Sequence, residues 1–183
     1  GGGWLAEIGF SDFAGSTLVH STGGAAALAG IILLGARNGR FDSAGNPKAL
    51  KPFAASSIPL VTIGVFILWL GWFGFNGGSQ LALGTFEDAV AISTIFINTN
   101  LAACGGVLAA GVITRLMYGK TDVIQMLNGA IGGLVAITAE PLAPSPFAAI
   151  LIGAVGGLIV VFGTKLLFSF KLDDVVGAIP AHL

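Results

Sequence analysis

Five long apolar runs dominate the sequence and constrain its fold more than any other feature. Each is close in length to the roughly 20 residues that a helix needs to cross a membrane. Their continuous apolar character favours helices over a barrel of alternating strands. The sequence therefore predicts an all-α integral membrane protein, with residues 1–183 forming a single transmembrane domain. We expect helices over residues 14–36, 53–75, 89–113, 123–139 and 147–170, and the start of a sixth at 175.

The composition excludes most other classes of protein. Charged residues make up only 9% of the chain, against roughly 25% in an ordinary soluble domain. The formal net charge of −1 supplies no basic excess for binding nucleic acid. One cysteine, Cys104, excludes an internal disulfide, and the two histidines leave little for a metal site. Because the sequence also lacks a nucleophile motif and a phosphate-binding loop, it predicts neither an enzyme nor a bound metal or cofactor.

The two ends of the chain indicate an internal fragment. The sequence opens on three glycines without an initiator Met, and it closes inside an apolar segment. We therefore expect the chain to be part of a longer membrane protein, to which its function belongs.

Charged residues separate onto two sides when the loops are numbered alternately. One side receives every Lys and Arg, and the other receives the acidic residues Glu7, Glu87, Asp88 and Glu140. Since positive charge in short loops stays in the cytoplasm, the chain is predicted to begin outside. This arrangement predicts a multi-pass protein of the plasma or inner membrane. The basic residues are Arg37, Arg40, Lys48, Lys51, Arg115, Lys120, Lys165 and Lys171.

One small-residue pattern, Gly-Ala-x-Gly-Gly-Leu, occurs twice, at residues 129–134 and 153–158. Small residues allow helix backbones to approach closely in lipid. The pattern fits ordinary tight helix packing or, less commonly, a narrow conduit.

The two histidines share one local pattern. Both His20 and His182 follow an aspartate by eight residues, with a glycine three residues after that aspartate. Eight helical residues rise about 12 Å, close to half of a ~30 Å hydrocarbon core, so each histidine is expected near the midplane. The two segments enter from opposite faces, which is typical of an inverted repeat with its site between the halves.

An ionisable residue inside the membrane marks a functional site by default. A neutral imidazole carries one donor and one acceptor nitrogen, so two adjacent rings can pass a proton or a small polar molecule. The alternative is that each histidine separately bonds a neighbouring helix for stability. Asp12 and Asp174 are interpreted as structural support at helix starts, because an aspartate there usually caps the helix.

Several stretches of the sequence together resemble the ammonium transporter family (Amt/Mep/Rh). Residues 12–20 (DFAGSTLVH) and 69–79 (WLGWFGFNGGS) are similar to family signatures. Residues 98–103 (NTNLAA), 133–138 (GLVAIT) and 173–182 (DDVVGAIPAH) match further motifs in the same order. The resemblance covers the whole chain and implies a fragment of an eleven-helix inverted-repeat fold, from about the fifth to the ninth helix plus the start of the tenth.

The resemblance also implies roles for individual residues. His20 and His182 match a twin-histidine pair in a narrow apolar pore, and Trp72 matches a pore-lining residue. Phe75 matches a gate phenylalanine and Ser79 an outer hydroxyl that recruits ammonium. The chemistry agrees, since aromatic faces attract a cation and a hydroxyl accepts an N–H hydrogen bond. Without the family match, these aromatic residues would be assigned to lipid contact or an interfacial belt.

The implied function is ammonium transport. Ammonium would be recruited outside, lose its proton, and cross as ammonia, with or without that proton. The family implies a homotrimer in the lipid bilayer and a cytoplasmic nitrogen-signal regulatory protein as partner, although positive-inside anchoring explains the charge of the 37–51 loop equally well. Three alternatives stay open: an ammonium sensor domain, a Rhesus-type gas channel, and a non-transporting structural subunit. No role is assigned to Asn98 or Thr138.

Overall fold

A computed structural model describes residues 3–42 and 53–183. Within these ranges the chain forms seven α-helices and one π-helical turn, without a β-strand. The elements are α1 Trp4–Glu7, a π-helical turn Ser16–Ser21, α2 Thr22–Leu34, α3 Ile58–Gly78, α4 Phe86–Tyr118, α5 Val123–Thr138, α6 Pro146–Ser169 and α7 Ala178–His182.

Four of the described helical segments are long and apolar enough to cross a membrane. They are Ser16–Leu34, Ile58–Gly78, Phe86–Tyr118 and Pro146–Ser169. Helix α5 is apolar but has only 16 residues. The prediction of an all-α membrane fold is confirmed.

Capping side chains place the helix ends differently from the apolar runs. Helix α3 begins at residue 58 instead of 53, because the Ser57 hydroxyl accepts the Leu60 N–H. Helix α4 covers 86–118 instead of 89–113. A reciprocal pair of bonds between Thr85 and Asp88 starts it, and Gly119, at φ 72°, ends it. Its 33 residues rise about 50 Å, which exceeds the thickness of the hydrocarbon core.

Helices α4, α5 and α6 pack with their backbones in direct contact at glycines. A Cβ added to Gly153 would overlap the Ala102 carbonyl, and one added to Gly157 would overlap the Gly106 carbonyl. At Gly129 the added atom would lie 2.6 Å from the same Gly106 oxygen. These glycines belong to the two repeated small-residue patterns, which therefore serve close helix packing.

The two histidine segments are not helical from their aspartates onward. Gly15 and Gly177 have φ values of 103° and 75°, and helical geometry begins only after them. The sequence estimate of eight helical residues before each histidine is therefore wrong. Each segment begins with a turn, and a glycine adopts the left-handed conformation that the turn requires.

The loops after α2 and α6 meet at one end of the bundle, as the segregation of charge predicts. Arg37 donates to the Asp173 carboxylate from Nε at 2.6 Å and from Nη2 at 2.8 Å, and Arg40 donates from Nε at 3.2 Å. The Arg37 hydrogen bonds lower the pKa of Asp173 to about 2. Lys48 and Lys51 of the same predicted basic side lie outside the described residues.

Candidate functional site

The two histidines, 162 positions apart in sequence, lie side by side. The Nδ1 atoms of His20 and His182 are 3.1 Å apart, and the ring centroids are 5.1 Å apart with an interplanar angle of 26°. A neutral imidazole carries a single N–H, so one ring donates and the other accepts in this contact. The structure therefore brings together the two residues that share the sequence pattern.

Aromatic rings of α3 cover His20 on one side. Trp72 stacks on the imidazole, with the ring centroids 5.0 Å apart and an interplanar angle of 13°. The Phe75 ring centroid lies 5.3 Å from that of His20, and the two planes are tilted by 41°. Trp72 is 6% exposed and Phe75 is 38% exposed. Ser79 lies at the end of α3, where its hydroxyl donates to the Phe75 carbonyl at 2.8 Å. Ser79 therefore stands one helical turn beyond Phe75, the residue that contacts His20.

Asp12 fixes the start of the His20 segment. Its carboxylate accepts the backbone N–H groups of Ser16 at 2.8 Å, Thr17 at 3.0 Å and Leu18 at 2.9 Å. These amides have no helical partner at a helix start, and the negative charge suits that end of the helix dipole. The His20 amide then bonds the Gly15 carbonyl five residues earlier, at 3.2 Å, which gives the turn its π-helical geometry.

The loop before His20 is attached to the C-terminal end of α5. The Phe13 and Ala14 amides donate to the Ala139 and Thr138 carbonyls at 2.8 and 3.1 Å. The Ser16 hydroxyl donates to a further carbonyl of α5, one turn earlier, at 2.8 Å. These bonds satisfy carbonyls that the helix end would otherwise leave unpaired.

The His182 segment is held in a similar way, by an aspartate of its own and by an asparagine in the first half of α5. Asp174 accepts the Gly177 N–H at 3.0 Å and the Ile179 N–H at 2.7 Å. The Asn128 side chain of α5 donates to the Val176 carbonyl at 3.0 Å. Asp12 and Asp174 thus bond to backbone at the two segment starts, and neither lines the cavity beside the histidines.

A chain of buried polar side chains lies behind Trp72, and sequence reasoning assigned it no role. The Trp72 Nε1–H donates to the Thr138 hydroxyl at 2.9 Å, and that hydroxyl lies 3.1 Å from Asn76 Oδ1. The Asn76 amide donates to the Thr99 hydroxyl at 3.0 Å. Asn76, Thr99 and Thr138 are fully buried. The available signal was spacing, because Asn76 follows Trp72 by four residues and shares its helix face.

Asn98, also without a predicted role, fixes the loop between α5 and α6. Its side-chain amide donates to the Pro141 carbonyl at 3.0 Å and to the Pro144 carbonyl at 2.8 Å. The residue is fully buried, and these two bonds connect it to the loop.

A cavity of about 220 Å³ opens beside the histidines. The Nε2 atom of His20 is buried and has no hydrogen-bond partner among the described residues. Apolar walls disfavour a hydrated ion, whereas a ring nitrogen can bond a small neutral molecule. Over residues 3–42 and 53–183, no cluster of three or more His, Cys, Asp or Glu side chains could hold a metal ion. The lining residues are Val19, His20, Gly23, Gly24, Ala27, Ala178 and His182.

Curated relatives resemble the chain over its entire length. It is 46% identical to Ammonium transporter Amt2 of Archaeoglobus fulgidus and 47% identical to a putative ammonium transporter of Synechocystis. Each match covers 100% of the chain, but only 40% and 41% of the relatives. The chain thus spans about two fifths of the length of these proteins.

Solved structures share the fold. A Sensor Amt Protein superposes with a TM-score of 0.92 at 36% identity, over 100% of this chain and 43% of its own. Candida albicans Mep2 superposes with a TM-score of 0.85 at 32% identity, over 100% of this chain and 38% of the Mep2 chain. The family model described as the Ammonium Transporter Family matches residues 1–183, and with these likenesses it establishes that the chain belongs to that family and forms part of a multi-pass membrane protein.

Proposed function

We propose that the full-length protein transports ammonium through a pore that passes the His20–His182 pair. The observation that carries the proposal is the 3.1 Å contact between the two Nδ1 atoms, beside an apolar cavity and under the stacked Trp72 ring. The similarity to proteins named ammonium transporters supports the same substrate.

The geometry suggests how ammonium is separated from other cations. Ammonium is recruited outside near Ser79 and Phe75, where a hydroxyl and an aromatic face suit an N–H cation. It then gives up its proton and crosses as ammonia past His20, whose buried Nε2 is free to hydrogen-bond it. The proton passes separately along the two imidazole rings and rejoins ammonia inside, so the transport carries the charge that a current measures. Potassium cannot shed its charge in this way, and an apolar passage does not replace its water shell.

The assembly and partners form part of the same proposal. The full-length protein forms a homotrimer in the plasma or inner membrane, with one pore per subunit. A nitrogen-signal regulatory protein binds its cytoplasmic face, on the side of the Arg37–Asp173 cluster. The protein acts as a transporter rather than an enzyme, without a cofactor or nucleic acid.

Ammonium-evoked current in liposomes tests the proposal. We expect the full-length protein to respond to ammonium and not to potassium, and the His20→Ala variant to lose the response or its selectivity. Val155→Ala is the matched control, because Val155 is an exposed residue of α6 that does not line the cavity beside the histidines. Unchanged current in His20→Ala at matched protein content would show that His20 is structural.

Ammonium sensing is the second candidate, and the TM-score of 0.92 to a Sensor Amt Protein favours it over the remaining alternatives. A sensor would bind ammonium at the same site without conducting it. Folded protein that gives neither current nor uncharged ammonia flux, yet is stabilised by ammonium on heating, would support sensing over transport.

A further inference from the structure

We propose that Thr138 is a positioning residue for the histidine pair, and that its hydroxyl holds the Trp72 indole against His20. This inference rests on the proposed function, because it concerns the selectivity of the same pore. The evidence is the set of contacts that Thr138 makes. It is hydrogen-bonded both to the Trp72 ring that stacks on His20 and to the loop that precedes His20.

The hydroxyl of Thr138 fixes the orientation of the indole. Trp72 donates its Nε1–H to Thr138 Oγ1 at 2.9 Å, and both residues are buried. The same indole lies nearly parallel to the His20 ring, at 5.0 Å and 13°. A buried N–H without a partner is costly, so the indole is stable in the one orientation that makes this bond. That orientation sets the plane on which the imidazole rests.

The Thr138 hydroxyl is itself held by its neighbours. Its oxygen lies 2.6 Å from the Leu134 carbonyl and 3.1 Å from Asn76 Oδ1. A hydroxyl has one proton and two lone pairs, so it donates to one of these oxygens while it accepts the Trp72 N–H. Asn76 is oriented in turn by its bond to Thr99. Each member of this buried chain therefore restricts the rotation of the next.

The backbone of the same threonine anchors the histidine segment. The Thr138 carbonyl accepts the Ala14 N–H at 3.1 Å. Ala14 directly precedes Gly15, where the chain turns into the π-helical segment that carries His20. Thr138 thus fixes the position of the His20 segment relative to the Trp72 ring that stacks on its imidazole.

Loss of the hydroxyl has a specific consequence. The Trp72 N–H would lose its partner, the indole would rotate to find another, and His20 would lose its supporting plane. Water would then reach the apolar passage, and hydrated potassium could follow it. The expected defect is therefore in selectivity and not in the amount of folded protein.

The test compares ammonium and potassium currents of the full-length protein in liposomes. Thr138→Val keeps the side-chain shape and removes the hydroxyl, and we expect the ammonium-to-potassium ratio to fall about tenfold, which corresponds to ~1.4 kcal/mol. Thr138→Ser restores the hydroxyl and should restore the ratio. Thr114→Val is the matched control. Thr114 is equally buried, donates to the carbonyl four residues earlier and accepts the Asp122 N–H, but it lies outside the polar chain behind Trp72.

Several results would overturn the inference. One is a wild-type ammonium-to-potassium ratio in Thr138→Val. The others are a fall in this ratio in Thr138→Ser or in Thr114→Val as large as that in Thr138→Val. If Thr138→Val does not fold, Trp72→Phe is compared with Trp72→Phe/Thr138→Val, because removal of both partners leaves no unpaired donor. We expect equal ratios in that pair. A lower ratio in the double variant would mean that the hydroxyl acts independently of Trp72.

A second readout is independent of current. In ¹⁵N-histidine spectra of the full-length protein, the His20 signal is assigned by its absence from His20→Asn. We expect it to shift or broaden in Thr138→Val and to keep its position in Thr138→Ser and Thr114→Val. Wild-type protein with neither ammonium current nor uncharged ammonia flux would reject the proposed function, and these spectra would still decide the role of Thr138. An unchanged His20 signal in Thr138→Val would refute the proposal that Thr138 positions the histidine.

Discussion

Replacement of Asp173 by asparagine is expected to destabilise the protein at the junction of the two loops that bear charge. The Asp173 side chain is 1% exposed and accepts four hydrogen bonds, three from Arg37 and one from Arg40. Arg40 is also buried, with its guanidinium over the rings of Phe41, Phe53 and Phe168. Asparagine would remove the negative charge that faces this buried cation at 3.2 Å.

The size of the effect follows from the pKa and the burial. Asp173 has a pKa of about 2, against an ordinary value of 3.8, so its ionised form is worth roughly 2–3 kcal/mol of stability. Breaking a buried pair by removing one partner costs about 3–5 kcal/mol. Asp173→Asn should therefore lower the free energy of unfolding by at least about 2 kcal/mol at neutral pH.

The pH dependence has a definite sign. Because the pKa is lower in the folded state, the stabilisation is complete above the unfolded value near 4. It is lost as the pH falls through 4 towards 2, where the folded carboxylate takes up its proton. The gap in stability between wild type and Asp173→Asn should therefore be widest at neutral pH and should narrow below pH 4.

Thermal unfolding of the full-length protein in detergent, followed across pH, measures this gap. Asp122→Asn is the matched control, since Asp122 is on the same predicted side but caps α5 through the Gln125 amide. It makes the same change of charge without touching an arginine among the described residues. Equal unfolding temperatures for wild type and Asp173→Asn at neutral pH would refute the reasoning, and so would a gap that stays constant down to pH 3.

Four further substitutions test the helix packing, a cap and a loop. Gly153→Val should prevent folding, because the side chain would overlap the Ala102 carbonyl, whereas Gly71→Ala should give monodisperse protein on size exclusion because its Cβ meets nothing within 4 Å. Asp12→Ala should lower stability by roughly 1–2 kcal/mol, since three amides lose their acceptor, and a wild-type melting temperature would contradict this. Asn98→Leu should raise protease cleavage in the loop after α5 by freeing two proline carbonyls; an unchanged digestion pattern would count against that role.

The sequence predicted the helical membrane fold and the approach of the two histidines, because both depend on strong local patterns. Apolar run length identifies a spanning helix, and the matched spacing around His20 and His182 identified related segments. The sequence also predicted which loops share the basic side of the membrane. The Arg37–Asp173 contact shows that two of these loops, after α2 and α6, do meet.

Tertiary contacts could not be predicted in the same way. Thr138 lies 66 positions from Trp72, and nothing in a linear pattern indicates that its hydroxyl meets the indole. The left-handed turn at Gly177 was missed because the apolar run continues through it, and only the Asp174 bonds to backbone show where α7 begins. A contact such as Trp72–Thr138, between segments that share no sequence pattern, therefore requires the structure.

Helix α5 sets the distance between the two histidines. The loop before His20 is bonded to its C-terminal end, and the loop before His182 is bonded to Asn128, the sixth of its 16 residues. Its 16 residues rise about 24 Å, less than a ~30 Å hydrocarbon core. One residue added between Asn128 and Thr138 would move one attachment relative to the other by about 1.5 Å and turn it by about 100°, more than a 3.1 Å hydrogen bond tolerates. The part of α5 from Asn128 to Thr138, a rise of about 15 Å, therefore sets the spacing that the histidine contact requires.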